Sequence, residues 1–393
     1  MKRLSIAVCL LLLLAACMGP RPEPPTPYQA LNPVAWKTLP GWSRDSPGAA
    51  LETFKSSCQA LAQKVEWQQV CRLAEVVETE DPAARLFFES YFQPYRVQNR
   101  NGSRAGLITG YYGPELAGRR TPDEEYRYPL YRQPKDLLIV DLGEVYPELD
   151  DYRLRGRLVE NRVVPYFARG KIDQPESPLA GQELFWVKDP VELFFLHIQG
   201  SGRIRLPDGE RVMVNYANQN GHPYRSIGKL LLERKAMTRD QMSLQNIRNW
   251  VAQNPDAGRQ LLAENPSYIF FRELPSSFQA PPGALGVPLT ARRSLAVDPR
   301  VIPLGAPVYL ATTFPGTDNP LRRLMMAQDT GGAIKGQVRA DFFWGMGDEA
   351  GKIAGRMKQE GQLWVLLPKD FAQEMVVNIQ RRNQARSAPE AVN

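Results

Sequence analysis

The stretch that constrains this chain most runs from Met325 to Gly347. Two methionines lead into Ala327-Gln328-Asp329-Thr330-Gly331-Gly332-Ala333-Ile334-Lys335-Gly336, and Val338-Arg339-Ala340-Asp341-Phe342-Phe343-Trp344-Gly345 follows. Glycines at 331, 332 and 336 exclude a helix interior, where each costs about 1 kcal/mol relative to alanine. Glycine is instead the residue of positive φ and close backbone approach. The pattern therefore reads as strand, loop, strand. Alternation along the second strand puts Arg339, Asp341 and Phe343 on one face and Val338, Ala340, Phe342 and Trp344 on the other. A carboxylate in an aromatic-rich strand runs against β propensity, and such local violations concentrate at functional sites. The alternative is an ordinary turn aspartate at 329 and a solvated strand aspartate at 341. On this segment alone both readings are open.

The chain around it has 393 residues, 43% hydrophobic, enough to bury the cores of two domains and to exclude disorder of the whole. Its 34 prolines and 30 glycines suit many short strands and long connections better than a helical bundle. The net charge of +7 is spread without runs. With no Lys/Arg stripe and an export signal, nucleic acid is excluded as a partner, and an anionic cell-surface polymer or lipid headgroup fits better.

Met1-Lys2-Arg3 followed by an apolar run to Ala16 has the make-up of a secretory signal peptide (1–16), too short to span a bilayer. Leu14-Ala15-Ala16-Cys17 resembles the bacterial lipobox, which predicts cleavage before Cys17 and lipidation of its thiol. Met18 rather than Asp next to it resembles Gram-negative lipoproteins sorted to the outer membrane, so a lipid anchor on its periplasmic face is expected. Residues 17–35 then form a proline-rich tether. Cys58 and Cys71 remain, and a disulfide and two buried free thiols are both open, because spacing does not fix geometry.

Helical spacing predicts a flank of three helices over 47–64, 66–77 and 81–92. Gly106 to Pro114 reads as a strand whose Tyr111-Tyr112 pair, set between glycines, is either a stacking surface for a sugar ring or core. Short strands fill 122–175, and strands follow at 183–187 and 191–198, the second carrying His197. That strand ends in a loop, Gln199-Gly200-Ser201-Gly202, offering an amide and a hydroxyl. A hairpin at 204–214 and helices at 226–234 and 244–253 come next. Strands are expected at 285–290, 294–305 and 308–311, then a helix over 347–358, a closing strand at 363–367 and a frayed polar tail after Phe371.

Two histidines in the whole chain exclude a histidine-rich metal site and fit a Ser-His-Asp enzyme poorly. Gly200-Ser201-Gly202 lacks the further glycine and the helix of a nucleotide loop. Carboxylates among aromatics and amides remain, which is the toolkit of glycan cleavage.

Gly110-Tyr111-Tyr112, Gln199 to Gly202, Asn220-Gly221-His222, Tyr224 to Lys229, Asn265 to Phe271, Asp298 with Ile302-Pro303-Leu304-Gly305, and Asp329 to Gly336 with Asp341 stand in this order. Together they resemble the membrane-bound lytic murein transglycosylase A family over nearly the whole mature chain. The resemblance implies a mainly β fold with flanking helices: a double-psi β-barrel catalytic domain from 36–113 plus 277–372, an inserted β-rich substrate-binding domain over 114–276, and a groove between them, while the proline-rich start and the polar tail over 373–393 are where the chain looks individual. The implied activity is that of a peptidoglycan lytic exotransglycosylase, a carbon–oxygen lyase. Such an enzyme cleaves the β-1,4 bond between N-acetylmuramic acid and N-acetylglucosamine without water and leaves 1,6-anhydromuramoyl products. By the same resemblance Asp341 is the single acid and then base, with Asp329 beside it, and Thr109, Tyr111, Tyr112, Gln199, Ser201, Asp298 and Lys335 contact substrate. No cofactor or metal is implied. The implied partners are peptidoglycan glycan strands, the outer membrane through Cys17, and proteins of cell-wall synthesis or division complexes.

One acid suffices if the sugar's own 6-hydroxyl attacks the anomeric carbon, since no water needs activation. Burial by Phe342, Phe343 and Trp344 would raise the pKa of Asp341, and Arg339 would oppose it. Two other readings are a hydrolytic muramidase using Asp329 with Asp341, and a non-catalytic peptidoglycan-binding lipoprotein.

Overall fold

A computed structural model describes residues 28–146, 149 and 152–385. The signal peptide, Cys17, the tether up to residue 27 and the tail from residue 386 lie outside the described residues. The chain enters at β1 (Leu31–Pro33) and runs through α1 (Gly48–Leu61), α2 (Val65–Val76) and α3 (Asp81–Tyr91) into β2 (Phe92–Val97) and β3 (Gly106–Gly113). The middle holds β4 (Glu115–Arg119), β5 (Tyr128–Tyr131), β6 (Leu138–Ile139), β7 (Arg155–Val159), β8 (Arg162–Pro165), α4 (Arg169–Ile172) and β9 (Glu183–Val187). It continues with α5 (Pro190–Gln199), β10 (Ser201–Arg205), β11 (Arg211–Gln219), α6 (Ile227–Glu233), α7 (Leu244–Gln253), α8 (Pro255–Ala263) and β12 (Ile269–Glu273). The last part is β13 (Ser294–Val297), β14 (Pro307–Thr313), β15 (Pro320–Asp329), β16 (Ala340–Met346), α9 (Gly347–Ala354), β17 (Lys358–Pro368) and α10 (Ala372–Ala385).

The first sheet has the strand order β1-β2-β17-β14-β15-β13-β16-β3, and β17 pairs β3 as well, so six of its strands return on themselves. Helices α1 to α3 cover it, because Leu51, Phe54, Cys58 and Leu61 recur every three or four residues along α1 and are all buried. Phe54 meets Trp67, Phe87, Phe88 and Phe92 within 6.4 Å between ring centroids, which fixes the three helices over β2. A disulfide joins Cys58 on α1 to Cys71 on α2, which closes the choice that spacing left open. A second sheet, β12-β11-β10-β4-β9-β5, is entered through β4, which only Pro114 separates from the end of β3. Helices α5 to α8 bury their own apolar cluster beside it. A third, small sheet is β6-β7-β8.

Several expectations are corrected here. The tether stops short of residue 35, because Ala30 and Leu31 are buried and β1 pairs β2. Residues 191–198 are helix rather than strand: Asp189 accepts from the Val191 and Glu192 amides, Pro190 takes the first turn, and Gly200 closes it at φ 76°. His197 is therefore helical, and Ser201 opens β10 instead of lying in a loop. Residues 285–290 form turns and an isolated bridge. The helix expected over 347–358 ends at Ala354, since Lys358 already begins β17. From Ala372 to Ala385 the chain is helix α10, pinned by buried Ala372 and Ile379 rather than frayed.

Candidate active site

Asp329 and Asp341 meet across β13. Ala296 is the register partner of Asp341 on one side and of Asp329 on the other. Paired residues share a face, so both carboxylates stand on the same side of the sheet, with their Cα atoms roughly 10 Å apart at two strand spacings. The alternation expected along β16 holds: Ala340, Phe342 and Trp344 enter the main core, while Phe343 joins Tyr111, Leu289, Ala296 and Ile334 in a separate cluster under the site.

The two groups are held differently. Thr109, the β3 register partner of Asp341, donates its hydroxyl to Asp341 Oδ1 at 2.6 Å. Burial raises the Asp341 pKa against the pull of that hydroxyl and of Arg339. Asp329 is tied on both oxygens: Oδ1 accepts from the Ala284 and Thr330 amides at 2.9 Å, and Oδ2 accepts from the Tyr111 hydroxyl at 3.0 Å. Burial nevertheless pushes the Asp329 carboxyl up to about 6, outweighing these donors, and the nearby charge of Asp341 adds to the push. Tyr111, raised well above its usual value by burial and then by Asp329, stays a donor. The arrangement offers one carboxyl secured from within and one that keeps an oxygen for a ligand.

The other expected residues divide. Gln199 sits at the end of α5, where its Oε1 accepts from the Tyr112 amide at 3.2 Å, and Ser201 lies buried two residues on, beside Gly113. Lys335 is exposed in the loop after Asp329. Tyr111 and Tyr112 are 8% and 9% exposed, too enclosed to be a stacking surface: the first serves Asp329, and the second packs against Gly351 of α9. Asp298 is 2% exposed, and its carboxylate is taken up by Arg300 in two contacts of 2.8 and 2.6 Å and by the Gly336 amide at 2.8 Å. Burial alone would raise its pKa, but the Arg300 guanidinium and these amides hold it below the usual range. Asp298 thus pins the glycine-rich loop and is closed to a ligand.

Sequence reasoning read 285–290 as a strand and gave the segment 281–289 no part in the site. It delivers the Ala284 amide to Asp329, and the Leu285 amide donates to the Gln328 carbonyl at 3.0 Å. Its run Pro281-Pro282-Gly283-Ala284-Leu285-Gly286 was the available signal. Between it and the second sheet lies a cavity of about 330 Å³ reached by Asn215, Arg272, Phe278 and Pro282.

Comparison with known proteins places this geometry. A profile described as the MltA specific insert domain matches residues 107–272, and the 3D domain matches residues 293–367. Membrane-bound lytic murein transglycosylase A of Vibrio cholerae is 33% identical over 300 residues, covering 74% of this chain and 73% of that protein. The chain belongs to the membrane-bound lytic murein transglycosylase A family. The Escherichia coli K12 member is 37% identical over 269 residues, a match spanning 66% of this chain and 65% of that protein. Among solved members, the monoclinic form of MltA from Neisseria gonorrhoeae superposes with a TM-score of 0.77 at 40% identity, covering 86% of this chain and 92% of the other. The structure of E. coli MltA with bound chitohexaose superposes with a TM-score of 0.63 at 27% identity, covering 87% and 92%. Both carboxylates of this family member lie in the segment matched by the 3D domain, whereas Thr109, Tyr111 and Gln199 come from the insert-domain match. The site is therefore built at the junction of the two matched segments.

Proposed function

We propose that this chain is a lytic transglycosylase of peptidoglycan, with Asp341 as its acid and base. The observation that carries this is the unequal engagement of the two carboxylates: Asp329 is bonded on both oxygens, while Asp341 is held on Oδ1 alone. Protonated Asp341 gives its proton to the oxygen linking N-acetylmuramic acid to N-acetylglucosamine, and the bond from the anomeric carbon to that oxygen breaks. The muramoyl 6-hydroxyl oxygen then bonds to the anomeric carbon and its proton passes to Asp341, which restores the acid and consumes no water. Thr109 orients the carboxyl, and burial raises its pKa and so favours the protonated form.

The six strands that return on themselves correspond in this reading to a double-psi β-barrel, the catalytic domain assembled from 36–113 and 277–372, with the region 114–276 as the inserted substrate domain. The glycan lies in the groove between them, past Gln199, Ser201 and Lys335 and into the cavity beside Phe278. The name of the chitohexaose-bound relative supports a β-1,4-linked sugar chain as ligand. Lipidated Cys17 would anchor the enzyme to the outer membrane on its periplasmic face; no described helix is long and apolar enough to cross a membrane. Mass spectrometry of products from purified murein tests the assignment. Anhydromuramoyl ends are expected, and reducing ends would make the enzyme a hydrolase that uses both carboxylates.

A further inference from the structure

Asp329 faces the site only because β15 carries one residue too many. The parallel ladder between β13 and β15 runs Ser294 to Met326 and Leu295 to Ala327, then jumps to Ala296 with Asp329. An unbroken ladder would pair Ala296 with Gln328 and turn Asp329 to the opposite face, where Leu295 and Ala327 lie fully buried in the main core. The extra residue is Gln328. Such a bulge re-aims the side chain that follows it, at the cost of ladder bonds that must be replaced.

Gln328 is fully buried, and its side chain supplies those replacements. Its Oε1 accepts from the Ser294 hydroxyl at 2.5 Å, and its Nε2 donates to the Thr53 carbonyl at 3.3 Å and to Ser57 Oγ at 3.0 Å. The orientation is forced, since the Thr53 carbonyl can only accept. Thr53 and Ser57 are one turn apart on α1, next to the disulfide at Cys58. On the main chain, the Gln328 carbonyl accepts from Leu285, the neighbour of the residue whose amide holds Asp329. The amide therefore ties the bulge to α1, to β13 and, through its backbone, to the 281–289 segment.

We propose that Gln328 is a positioning residue for the reaction: its carboxamide, gripped by Ser294, Thr53 and Ser57, holds the β15 bulge that turns Asp329 toward Asp341. The proposal rests on the catalytic reading of these aspartates and adds a requirement that no contact with substrate would reveal. It also gives the helical flank a task beyond covering the sheet.

The test uses the full chain with Gln328→Met, which keeps length and loses the amide, and Ser57→Ala, which removes one acceptor and leaves Gln328 in place. Two readouts are taken besides thermal unfolding. One is kcat and KM on soluble glycan strands. The other is the titration of Asp329 by carboxyl carbon NMR, its resonance assigned with Asp329→Asn. Gln328→Met is expected to fold, to lose about tenfold or more in kcat with KM little changed, and to let the Asp329 titration fall from about 6 toward the ordinary aspartate range. Ser57→Ala should move both in the same direction by less. Unchanged kcat and unchanged Asp329 titration in the folded variants, whatever their melting temperature, would overturn the proposal and leave Gln328 a packing residue. Should Gln328→Met fail to fold, Ser57→Ala decides on the same two readouts. If Asp341→Asn and Asp329→Asn both keep full activity, the catalytic reading is what fails, and the NMR titration still reports on the bulge.

Discussion

Each oxygen of Asp329 is committed inside the protein, whereas Asp341 answers to Thr109 on one side only. Asp341→Asn keeps size and hydrogen bonding but has no acidic proton to give, so release of anhydromuropeptides should fall at least about 10²-fold with the fold intact. Asp329→Asn should be milder; the reverse order would move the acid to Asp329. Thr109 lowers the Asp341 pKa that burial raises. Thr109→Val should therefore carry the alkaline limb of kcat/KM, set by loss of the Asp341 proton, to higher pH, and a limb that stays or falls would contradict the assignment. Asp329 gives a separate signature in stability. Its folded pKa of about 6 stands above the 3.8 of an unburied aspartate, so the folded state binds the extra proton and stability is lost as pH rises between those values. Asp329→Asn should accordingly melt higher than the parent at pH 8, by the equivalent of about 1–3 kcal/mol, with the gap closing by pH 4. A gap independent of pH would mean that the carboxyl is not raised.

The elements that carry these residues were unevenly legible. In β16 the period of two placed Asp341 and Phe343 on the site face correctly, because no residue interrupts the count. In β15 the same count fails at Asp329, since a bulge leaves no mark in hydrophobicity, and Gln328 reads as any polar residue near a strand end. Helix α5 misled for a different reason: Val191, Leu193, Phe194, Leu196 and His197 are buried around much of the helix, which erases the 3.6 period and leaves a run that looks like a buried strand. Asp189-Pro190 before it was the legible clue. The tyrosine pair posed a problem of accessibility, since sequence shows an aromatic between glycines but not what covers it. The α1–α2 disulfide is open to experiment at this scale. Replacing Cys58 and Cys71 by Ser should cost roughly 3 kcal/mol for a loop of this size, read as a lower melting temperature that matches the parent under reductant.

At the scale of the whole molecule, the first thing to test is where it resides. Cys17→Ser should release a soluble and still active protein from the outer membrane fraction; a variant that stays with the membrane after a high-salt wash would place the anchor elsewhere. The ring of strands has a consequence in time. Thr109 and Asp341 are 232 residues apart, Tyr111 and Asp329 are 218 apart, and β3 is enclosed only when β17, beginning at Lys358, pairs with it. Contacts of such long range form late and slowly, because chain closure costs entropy before any contact repays it. A chain folded only as far as β16 therefore holds Thr109, Asp329 and Asp341 without the strand that encloses β3. The pairs Thr109–Asp341 and Tyr111–Asp329 are thus framed only when the last strands close the ring.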